Sequence, residues 1–337
     1  MKRPGAATLA ALIGGAWIAR EAVRHSRRMN LQEKTIIVTG GVRGLGLAIS
    51  RQLVRHGAKL AICSRNRDQV ERAQIELAAA GGDVLAVPCD ITKDTDVQEF
   101  LDRVHSHFGA VDALINNAGV ISVAPMQDNT LVDYQSAMDT HFWAPLKLTL
   151  AVLPDMKRHR RGRIVNIASF GGLVSVPHLV PYSASKFALV GLSQGLRSEL
   201  LHDGVYVTTV CPGLIRTGSP RNVPFKGHRE LEYAWFTLGD VTPIISVNPD
   251  RLAKKIVDAM VHGDAEVIAP WLFRIPAMAN AISPTLTSGL LAMINNLLPG
   301  PAGNTESQPG YALQSSSHLP AWAQKSADAA AEKYNEL

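Results

Sequence analysis

The sequence is poor in cysteine and in aromatic residues. Three cysteines occur among 337 residues, and aromatic residues make up 6% of the chain. These thiols, Cys63, Cys89 and Cys211, are too few for a disulfide-rich scaffold and lack the paired spacing of zinc ligands. We interpret them as reduced thiols of a buried core, and the sequence predicts no metal site.

Excess charge is also absent from most of the chain, although the formal net charge is +5. Residues 1–30 contain six Lys and Arg residues against one Glu, so the whole excess lies there and residues 31–337 are formally neutral. A neutral body with few aromatic residues lacks the electrostatic footprint needed to bind a phosphate backbone. We expect no nucleic-acid partner.

Residues 1–30 form a basic and apolar N-terminal segment. Its uncharged part, residues 4–19, would make a helix of about 24 Å, shorter than the ~30 Å hydrocarbon core of a bilayer. A cleaved signal peptide is disfavoured because no clear small-residue cleavage site follows. We favour a membrane anchor or interfacial helix, with Trp17 and four arginines at the headgroups and the rest of the chain in the cytoplasm. A soluble cytoplasmic protein with a frayed arm stays open as the alternative.

From Lys34 onward, short apolar runs alternate with segments of helical periodicity. The predicted strands are Thr35–Thr39, Lys59–Cys63, Val84–Val87, Val111–Ile115, Arg163–Ile167, Val205–Val210 and Ala265–Ala269. The predicted helices are Leu45–His56, Asp68–Ala80, Asp94–Phe108, Asp133–Lys157, Tyr182–Leu201 and Arg251–Val261. This alternation is typical of a parallel sheet covered on both faces, so we predict an α/β, doubly wound domain over residues 31–269.

A glycine-rich turn lies between the first predicted strand and the first predicted helix. Its sequence is TGGVRGLG, residues 39–46. Glycines at this place let the backbone turn tightly and approach a pyrophosphate at the helix N-terminus. A plain tight turn fits the glycines alone, but the flanking strand and helix favour a dinucleotide site.

Two arginines indicate which dinucleotide binds. The second predicted strand ends at Ser64 and Arg65, where an NAD-binding fold often has a carboxylate for the ribose hydroxyls. Arg65 and Arg43 can converge there, and guanidinium groups suit a 2′-phosphate. We therefore predict NADP(H) as the cofactor; a pair of solvated surface arginines is the alternative.

A serine, a tyrosine and a lysine form the candidate catalytic group. Tyr182 and Lys186 are four residues apart on a predicted helix, so they share one face. A neighbouring ammonium favours phenolate and is expected to lower the pKa of Tyr182, which suits proton transfer. Ser169, at the end of the fifth predicted strand, can donate a hydrogen bond to a carbonyl oxygen.

Together these motifs resemble those of the short-chain dehydrogenase/reductase family, from about Leu31 to Ala269. The matching stretches follow the family's order: TGGVRGLG (39–46), Asp90, NNAG (116–119), Ser169, YSASK (182–186) and PGLIRT (212–217). The resemblance implies a Rossmann fold with a mostly parallel, seven-stranded sheet in the order 3-2-1-4-5-6-7. It also implies NAD(P)-dependent interconversion of alcohols and carbonyls.

The resemblance further implies roles for individual residues. Tyr182 would be the general acid/base, Ser169 would polarise the substrate oxygen, and Lys186 would bind the nicotinamide ribose and tune Tyr182. Asp90 and Ile91 would flank the adenine, Asn117 would face its ribose, and residues 212–217 would hold the nicotinamide. The full set of candidate cofactor-binding residues is Gly40, Arg43, Gly44, Leu45, Gly46, Ser64, Arg65, Asp90, Ile91, Asn117, Ala118, Gly119, Tyr182, Lys186, Pro212, Gly213, Ile215 and Thr217.

One position departs from the family's pattern. The family usually has an asparagine in the long helix after NNAG, where it helps to hold a water of a proton relay. By register this chain has His141 there. An imidazole can accept and donate hydrogen bonds, so His141 is a fourth catalytic candidate that would keep the relay or shift its pH dependence. A packed histidine without such a role fits the sequence equally well.

The loops after the strands indicate the substrate. In this fold they usually decide specificity, and here they are Phe170–Pro181 and the long insert Gly218–Ile245. The insert contains Phe225, Tyr233, Trp235 and Phe236, which we interpret as a lid over a lipophilic substrate. An ordinary packed helix is the alternative.

Two segments follow the catalytic domain. Residues 270–298 form an apolar helical extension with one charged residue, Arg274, and an apolar stripe at helical spacing. It fits a membrane surface, a cover over the cleft or an interface in a homo-oligomer. Residues 299–337 are predicted to be a flexible tail, with a short exposed helix near the end.

These observations predict an NADP(H)-dependent oxidoreductase that interconverts a carbonyl and a secondary alcohol. The lipophilic substrate would be steroid-, retinoid- or fatty-acyl-like. Two alternatives stay open: a non-catalytic NADP(H)-binding sensor or scaffold, and an NAD-dependent alcohol dehydrogenase. Retained serine, tyrosine and lysine at working spacing favour chemistry over binding alone.

Overall fold

The structure, a computed structural model, describes residues 6–315 and 319–337. The strands are β1 (Thr35–Thr39), β2 (Lys59–Ser64), β3 (Asp83–Pro88), β4 (Ala113–Asn116), β5 (Gly162–Ile167), β6 (Val205–Pro212), β7 (Leu214–Ile215), β8 (Pro224–Phe225), β9 (Ser246–Val247), β10 (Glu266–Ala269) and β11 (Gln308–Pro309). The helices are α1 (Ala6–Ser26), α2 (Gly44–Arg55), α3 (Arg67–Ala79), α4 (Asp94–Phe108), α5 (Leu131–Met138), α6 (Ala144–Arg158), α7 (Val180–Leu200), α8 (Arg229–Val241), α9 (Pro249–His262), α10 (Arg274–Ile282), α11 (Pro284–Asn295), α12 (Gly310–Leu313) and α13 (Ala321–Lys333).

Seven strands form the central sheet in the order β3-β2-β1-β4-β5-β6-β10. Each neighbouring pair is parallel; Val38 of β1, for example, pairs with Ile62 of β2 on one side and Ile115 of β4 on the other. The predicted order is confirmed, with β10 as the seventh strand. Because β1 lies between β2 and β4, the connections reverse direction at the β1/β4 boundary. This topology opens a crevice beyond the carboxyl ends of these strands, where α/β sheets bind ligands.

Helices cover both faces of the sheet because alternate strand residues point to opposite sides. Ile36 and Val38 belong to a core that includes apolar residues of α2, α3 and α9. Ile37, between them, packs in a second core with residues of α4 and α6. These two layers hold the strand ends rigidly and thereby fix the loops that carry the candidate site.

The helix predicted over Asp133–Lys157 forms as three continuous parts. A wider, π-helical turn at Asp139–Trp143 separates α5 from α6. Turns of this kind occur often at functional sites. Here the wide turn contains His141, whose side chain is fully buried.

The N-terminal helix contacts the body through a predicted headgroup arginine. Arg24 of α1 donates from Nε to Asp264 Oδ1 over 3.0 Å. The predicted headgroup position of Trp17 lies outside the described side chains. Among the described residues, no helix is both long and apolar enough to cross a membrane.

The chain after β10 differs from its predicted form. The apolar extension is a pair of helices, α10 and α11, separated at Ser283. The tail predicted to be flexible contains β11, paired antiparallel with β8, and the helices α12 and α13. Ala323, Ala327 and Ala331 form one buried face of α13, which the alanine-rich sequence did not reveal because small apolar residues also suit an exposed helix.

Candidate active site

Every predicted site residue lines one cleft at the carboxyl ends of the strands. The cleft has a volume of about 480 Å³ and extends from the glycine-rich turn to the insert before α9. The structure therefore brings the sequence candidates together, while the role of each residue stays a prediction.

The glycine-rich turn leaves no room for side chains where a dinucleotide would lie. A Cβ on Gly46 would be 2.0 Å from the carbonyl oxygen of Gly40, and Gly40 itself has a φ of +63°. Such contacts require glycine, because side chains rarely adopt this backbone and cannot fit this space. The bare backbone and the N-terminus of α2 suit a pyrophosphate group.

Asn117 holds the turn from the neighbouring strand. Its Nδ2 donates to the carbonyl oxygens of Thr39, at 3.0 Å, and Gly40, at 3.2 Å. The Thr39 hydroxyl oxygen accepts hydrogen bonds from the backbone N–H groups of Asn117 and Ala118. The Asn117 side chain thus holds the backbone of the turn directly.

The expected adenosine end contains a cation and a carboxylate. Arg65 is exposed and lines the cleft close to Asp90. Partial burial raises the pKa of Asp90, but hydrogen bonds from Thr92 and the charge of Arg65 lower it overall. Arg43 lines the same end, and its Nη1 lies 2.7 Å from Oε2 of Glu336.

The candidate catalytic group lies at the centre of the cleft, where Lys186 is buried and Ser169 and Tyr182 are half-buried. Lys186 and Tyr182 lie one turn apart on α7, with the Lys186 Nζ 5.6 Å from the Tyr182 ring centroid. Lys186 Nζ donates to the carbonyl oxygen of Ile167 over 2.7 Å. The Ser169 hydroxyl lies close enough to the Tyr182 phenol to affect its pKa, and its oxygen accepts from the Gly171 N–H at 3.0 Å.

Burial controls the protonation of this pair. It raises the pKa of Tyr182 to about 12, although the Ser169 hydroxyl acts in the opposite direction. The prediction that the pKa of Tyr182 is lowered is therefore wrong, because desolvation of the phenolate has a larger effect than the favourable groups around it. Burial also lowers the pKa of Lys186 to about 7, so its charge is only partial near neutral pH.

His141 uses both ring nitrogens within the protein. Nε2 accepts from the backbone N–H of Val120 at 3.1 Å, and Nδ1 lies 2.7 Å from Oγ of Ser185. Because Nε2 accepts, Nδ1 carries the proton and donates to Ser185, whose hydroxyl donates to the Tyr182 carbonyl oxygen. Burial lowers the pKa of His141 well below its usual value, and the Lys186 charge adds to this effect. The neutral imidazole thus links the wide turn to α7, the helix that contains Tyr182 and Lys186.

The predicted nicotinamide end lies beside β6 and β7. Pro212, Gly213, Ile215 and Thr217 line the cleft there, and the Thr217 hydroxyl oxygen accepts from the Ser219 N–H at 3.3 Å. A Cβ on Gly213 would approach the Phe273 ring to 2.3 Å. The glycine therefore lets the segment after β10 close over this end of the cleft.

Aromatic and aliphatic side chains surround the far end of the cleft. They are Phe170, Val176, Leu179, Leu214, Trp235, Phe236, Ile245 and Phe273. Trp235 is fixed by Glu232, whose Oε2 accepts from its Nε1 at 2.6 Å. The predicted aromatic insert thus supplies two rings to the cleft, whereas Phe225 and Tyr233 are fully buried in the core behind them.

Two acidic residues in the cleft were missed by the sequence interpretation. Glu336 is 3% exposed and lies in the tail that was predicted to be flexible. Asp240, at the end of α8, is also buried and lines the cleft. Neither belongs to a recognisable motif, so no sequence signal could have placed them there.

Comparison with known proteins identifies the family. A family model described as short chain dehydrogenase matches residues 34–224. The chain belongs to the short-chain dehydrogenase/reductase family. It is 32% identical to 11-beta-hydroxysteroid dehydrogenase-like 2 of Arabidopsis thaliana over 259 residues, covering 75% of this chain and 80% of that protein. It is 37% identical to the granaticin polyketide synthase putative ketoacyl reductase 1 of Streptomyces violaceoruber, covering 54% of this chain and 67% of that protein.

A solved structure supports the fold. The crystal structure of L-sorbose reductase from Gluconobacter frateurii, complexed with NADPH and L-sorbose, matches with a TM-score of 0.63 at 24% identity. The match covers 72% of this chain and 97% of the reductase. As a short-chain dehydrogenase/reductase, the present protein is an oxidoreductase that acts on CH–OH and C=O groups with a nicotinamide cofactor.

Proposed function

We propose that the protein is an NADP(H)-dependent oxidoreductase that interconverts a lipophilic carbonyl compound and the corresponding secondary alcohol. The group of Ser169, Tyr182 and Lys186 carries this proposal, because it lies between the glycine-lined and the apolar ends of one cleft. The reaction class follows from the family, and the finer assignment rests on the residues at the two ends.

Tyr182 is proposed to supply the proton during reduction. Its pKa of about 12 keeps the phenol protonated at neutral pH, which suits donation to a carbonyl oxygen. The Ser169 hydroxyl, beside the phenol, orients the same oxygen. When bound, the nicotinamide supplies or accepts the hydride. Lys186, with a pKa of about 7, is partly protonated near neutral pH, and its positive charge would stabilise the developing alkoxide.

The preference for NADP(H) rests on Arg43 and Arg65. Both line the expected adenosine end, and guanidinium groups bind phosphate strongly. The glycine contacts at residues 40 and 46 leave the backbone of this turn without side chains, which supports a dinucleotide at this end. The L-sorbose reductase of similar fold was solved with NADPH. These observations together favour NADP(H) over NAD(H).

The lipophilic substrate is proposed from the apolar wall. The rings of Phe170 and Phe273 are in contact, with centroids 4.7 Å apart and planes tilted by 51°, and Trp235 and Phe236 continue the wall. A site of this kind binds a ligand mainly by burying apolar surface. The catalytic hydroxyl groups of Ser169 and Tyr182 then fix the position of its single polar carbonyl.

A lipid surface is the proposed source of that substrate. Residues 275–305 contain no charged side chain, and α10 and α11 expose large apolar residues over most of their surface. Asn280 Nδ2 donates to the Leu173 carbonyl oxygen at 3.0 Å, which fixes α10 to the loop of residues 170–181. Because Phe273, directly before α10, lines the cleft, the exposed apolar patch begins next to the cleft, which supports a site that takes its substrate from a membrane interface.

Sedimentation with vesicles tests the lipid surface. The full chain should sediment with phosphatidylcholine vesicles, and Leu290→Glu with Met293→Glu should leave more protein in the supernatant. Both residues are exposed, so the fold should persist. If the double variant and the wild type sediment equally, α11 is not the membrane-binding surface.

NADPH oxidation tests the catalytic proposal. Wild type, Tyr182→Phe and Tyr311→Phe are compared on a panel of steroid, retinoid, fatty-acyl and small aromatic carbonyl compounds. Tyr182→Phe should abolish turnover while retaining NADPH binding, and Tyr311→Phe, which removes an exposed hydroxyl on α12, should keep it. Equal turnover in wild type and Tyr182→Phe would exclude Tyr182 as the proton donor.

A further inference from the structure

The last residues of the chain reach the cofactor end of the cleft. Residues 334–337, here called the C-terminal strap, follow α13 directly. The Tyr334 ring is buried in the core beside α2, and its carbonyl oxygen accepts from the backbone N–H of Gly44 at 2.8 Å. Gly44 is the first residue of α2, so the strap begins at the N-terminus of the helix that would face the cofactor phosphates.

Glu336 places a carboxylate at this N-terminus. Its Oε2 lies 2.7 Å from Arg43 Nη1 and accepts from Asn222 Nδ2 at 2.9 Å. A Cβ built on Gly44 would be 2.8 Å from Oε1. The negative charge therefore occupies the place where the helix dipole, the bare glycine backbone and Arg43 favour an anion.

Neighbouring residues hold the strap across the turn. Asn335 Nδ2 donates to the carbonyl oxygens of Val42, at 2.8 Å, and Gln69, at 3.1 Å. Arg72 donates to Asn335 Oδ1 at 2.7 Å and to the Leu337 carbonyl oxygen at 2.8 Å. Glu336 is thus positioned by a specific set of contacts on both sides.

The Glu336 carboxylate is nevertheless costly to keep charged. Burial raises its pKa, with Arg43 and Asn222 acting in the opposite direction. Burial raises the pKa of Asp240 well above its usual value, and like-charge repulsion from Glu336 adds to this effect. A phosphate group would bring more negative charge and more acceptor oxygens to the same Arg43, so it can compete for this arginine.

We propose that Glu336 is a built-in competitor of the cofactor's phosphate groups. Without cofactor, its carboxylate binds Arg43 and covers the N-terminus of α2; cofactor binding displaces it and frees Arg43 for phosphate. The strap thus weakens cofactor binding and sets the cofactor concentration at which the site fills. This inference rests on the proposed use of NADP(H).

Cofactor titrations test the competition. The dissociation constant of NADPH is measured by fluorescence for wild type, Glu336→Gln and the matched control Glu332→Gln, an exposed glutamate on α13. Glu336→Gln keeps the size of the side chain but removes its charge. It should bind NADPH roughly tenfold more tightly than wild type, since charge-assisted hydrogen bonds to Arg43 are lost from the competing state. NADH, which lacks the 2′-phosphate, should gain less, and Glu332→Gln should match wild type.

Hydrogen exchange of the wild-type chain gives an independent measurement. NADPH should accelerate amide exchange in residues 335–337, because the Glu336 N–H, bonded to the Ala331 carbonyl oxygen at 2.8 Å, is released with the strap. Slower exchange on NADPH binding would overturn the inference. So would an NADPH affinity of Glu336→Gln that is no greater than that of Glu332→Gln. In both cases the proposed use of NADP(H) would still stand. If neither wild type nor the variants bind NADPH but all bind NADH, the cofactor assignment itself fails, and the inference fails with it.

Discussion

Nδ1 of His178 lies 2.8 Å from Oε1 of Glu232, and both side chains are buried although the residues are 54 positions apart. This contact joins the loop of residues 170–181 to α8. Glu232 also accepts from Trp235, so the same carboxylate fixes the loop and an aromatic ring of the cleft wall. The apolar end of the cleft is therefore shaped by a buried polar pair.

We expect Glu232→Ala to disturb this end of the cleft. It removes the partner of buried His178 and of half-buried Trp235, and the buried group alone should cost about 1–3 kcal/mol in the free energy of unfolding. Denaturant unfolding and the KM of a lipophilic substrate measure the two effects, and KM should rise more than kcat falls. Glu230→Ala, which removes an exposed glutamate from the same helix, is the control. An unchanged KM would show that the pair does not shape the cleft.

Arg65→Ala is expected to reduce selectivity for NADPH over NADH. Arg65 is exposed, so its removal should not affect folding. Loss of a charge-assisted contact with a 2′-phosphate should weaken NADPH binding by about 1.5–3 kcal/mol and leave NADH binding nearly unchanged. Arg67→Ala, an exposed arginine two residues further on, serves as the control. Equal losses for NADPH and NADH would contradict the assignment of Arg65.

Gly46→Ala should damage the glycine-rich turn. Its Cβ would lie 2.0 Å from a backbone oxygen, which cannot move as a flexible side chain can. We expect cofactor binding to be lost and thermal unfolding to occur at lower temperature. Gly191→Ala on α7 is the matched control, because nothing lies within 4 Å of its Cβ and alanine favours a helix by roughly 1 kcal/mol. If both variants behave alike, close packing at Gly46 is not essential.

The pH dependence of reduction should reflect Lys186. Its pKa is lowered to about 7, so the amine is charged below this pH and neutral above it. Because Tyr182 stays protonated up to about pH 12, kcat/KM for carbonyl reduction should fall as pH rises through about 7. The pH–rate profile of the wild type measures this. A profile that is flat or rises across neutral pH would exclude Lys186 as the controlling group.

His141 should contribute stability without a proton transition near neutral pH. Its pKa is well below the usual value, so the ring is neutral on both sides of the Lys186 transition. His141→Ala removes a buried ring and two hydrogen bonds, and we expect a loss of about 2–4 kcal/mol in the free energy of unfolding. His141→Asn should keep the position of the wild-type inflection in the pH–rate profile. A shifted inflection would support the relay role considered from the sequence.

Motifs with strict backbone requirements could be predicted from the sequence. The glycine-rich turn and the shared helix face of Tyr182 and Lys186 follow from local spacing, whereas the order of the sheet strands was predicted from the resemblance to the family. The pKa of Tyr182 could not be predicted, because it depends on how completely the fold removes water from the phenol. The position of Glu336 was equally hidden, since its neighbours in the chain are ordinary helix and loop residues.

The cleft is built from two unequal parts of the chain. The residues matched by the family model supply the glycine-rich turn and the candidate catalytic side chains, while Trp235, Phe236, Phe273 and Glu336 come from the chain after Phe225. Mutations after Phe225 can therefore change what enters the cleft, and how readily, without altering the reacting groups. Related proteins that share the first part can therefore differ in the second part and act on different substrates by the same chemistry.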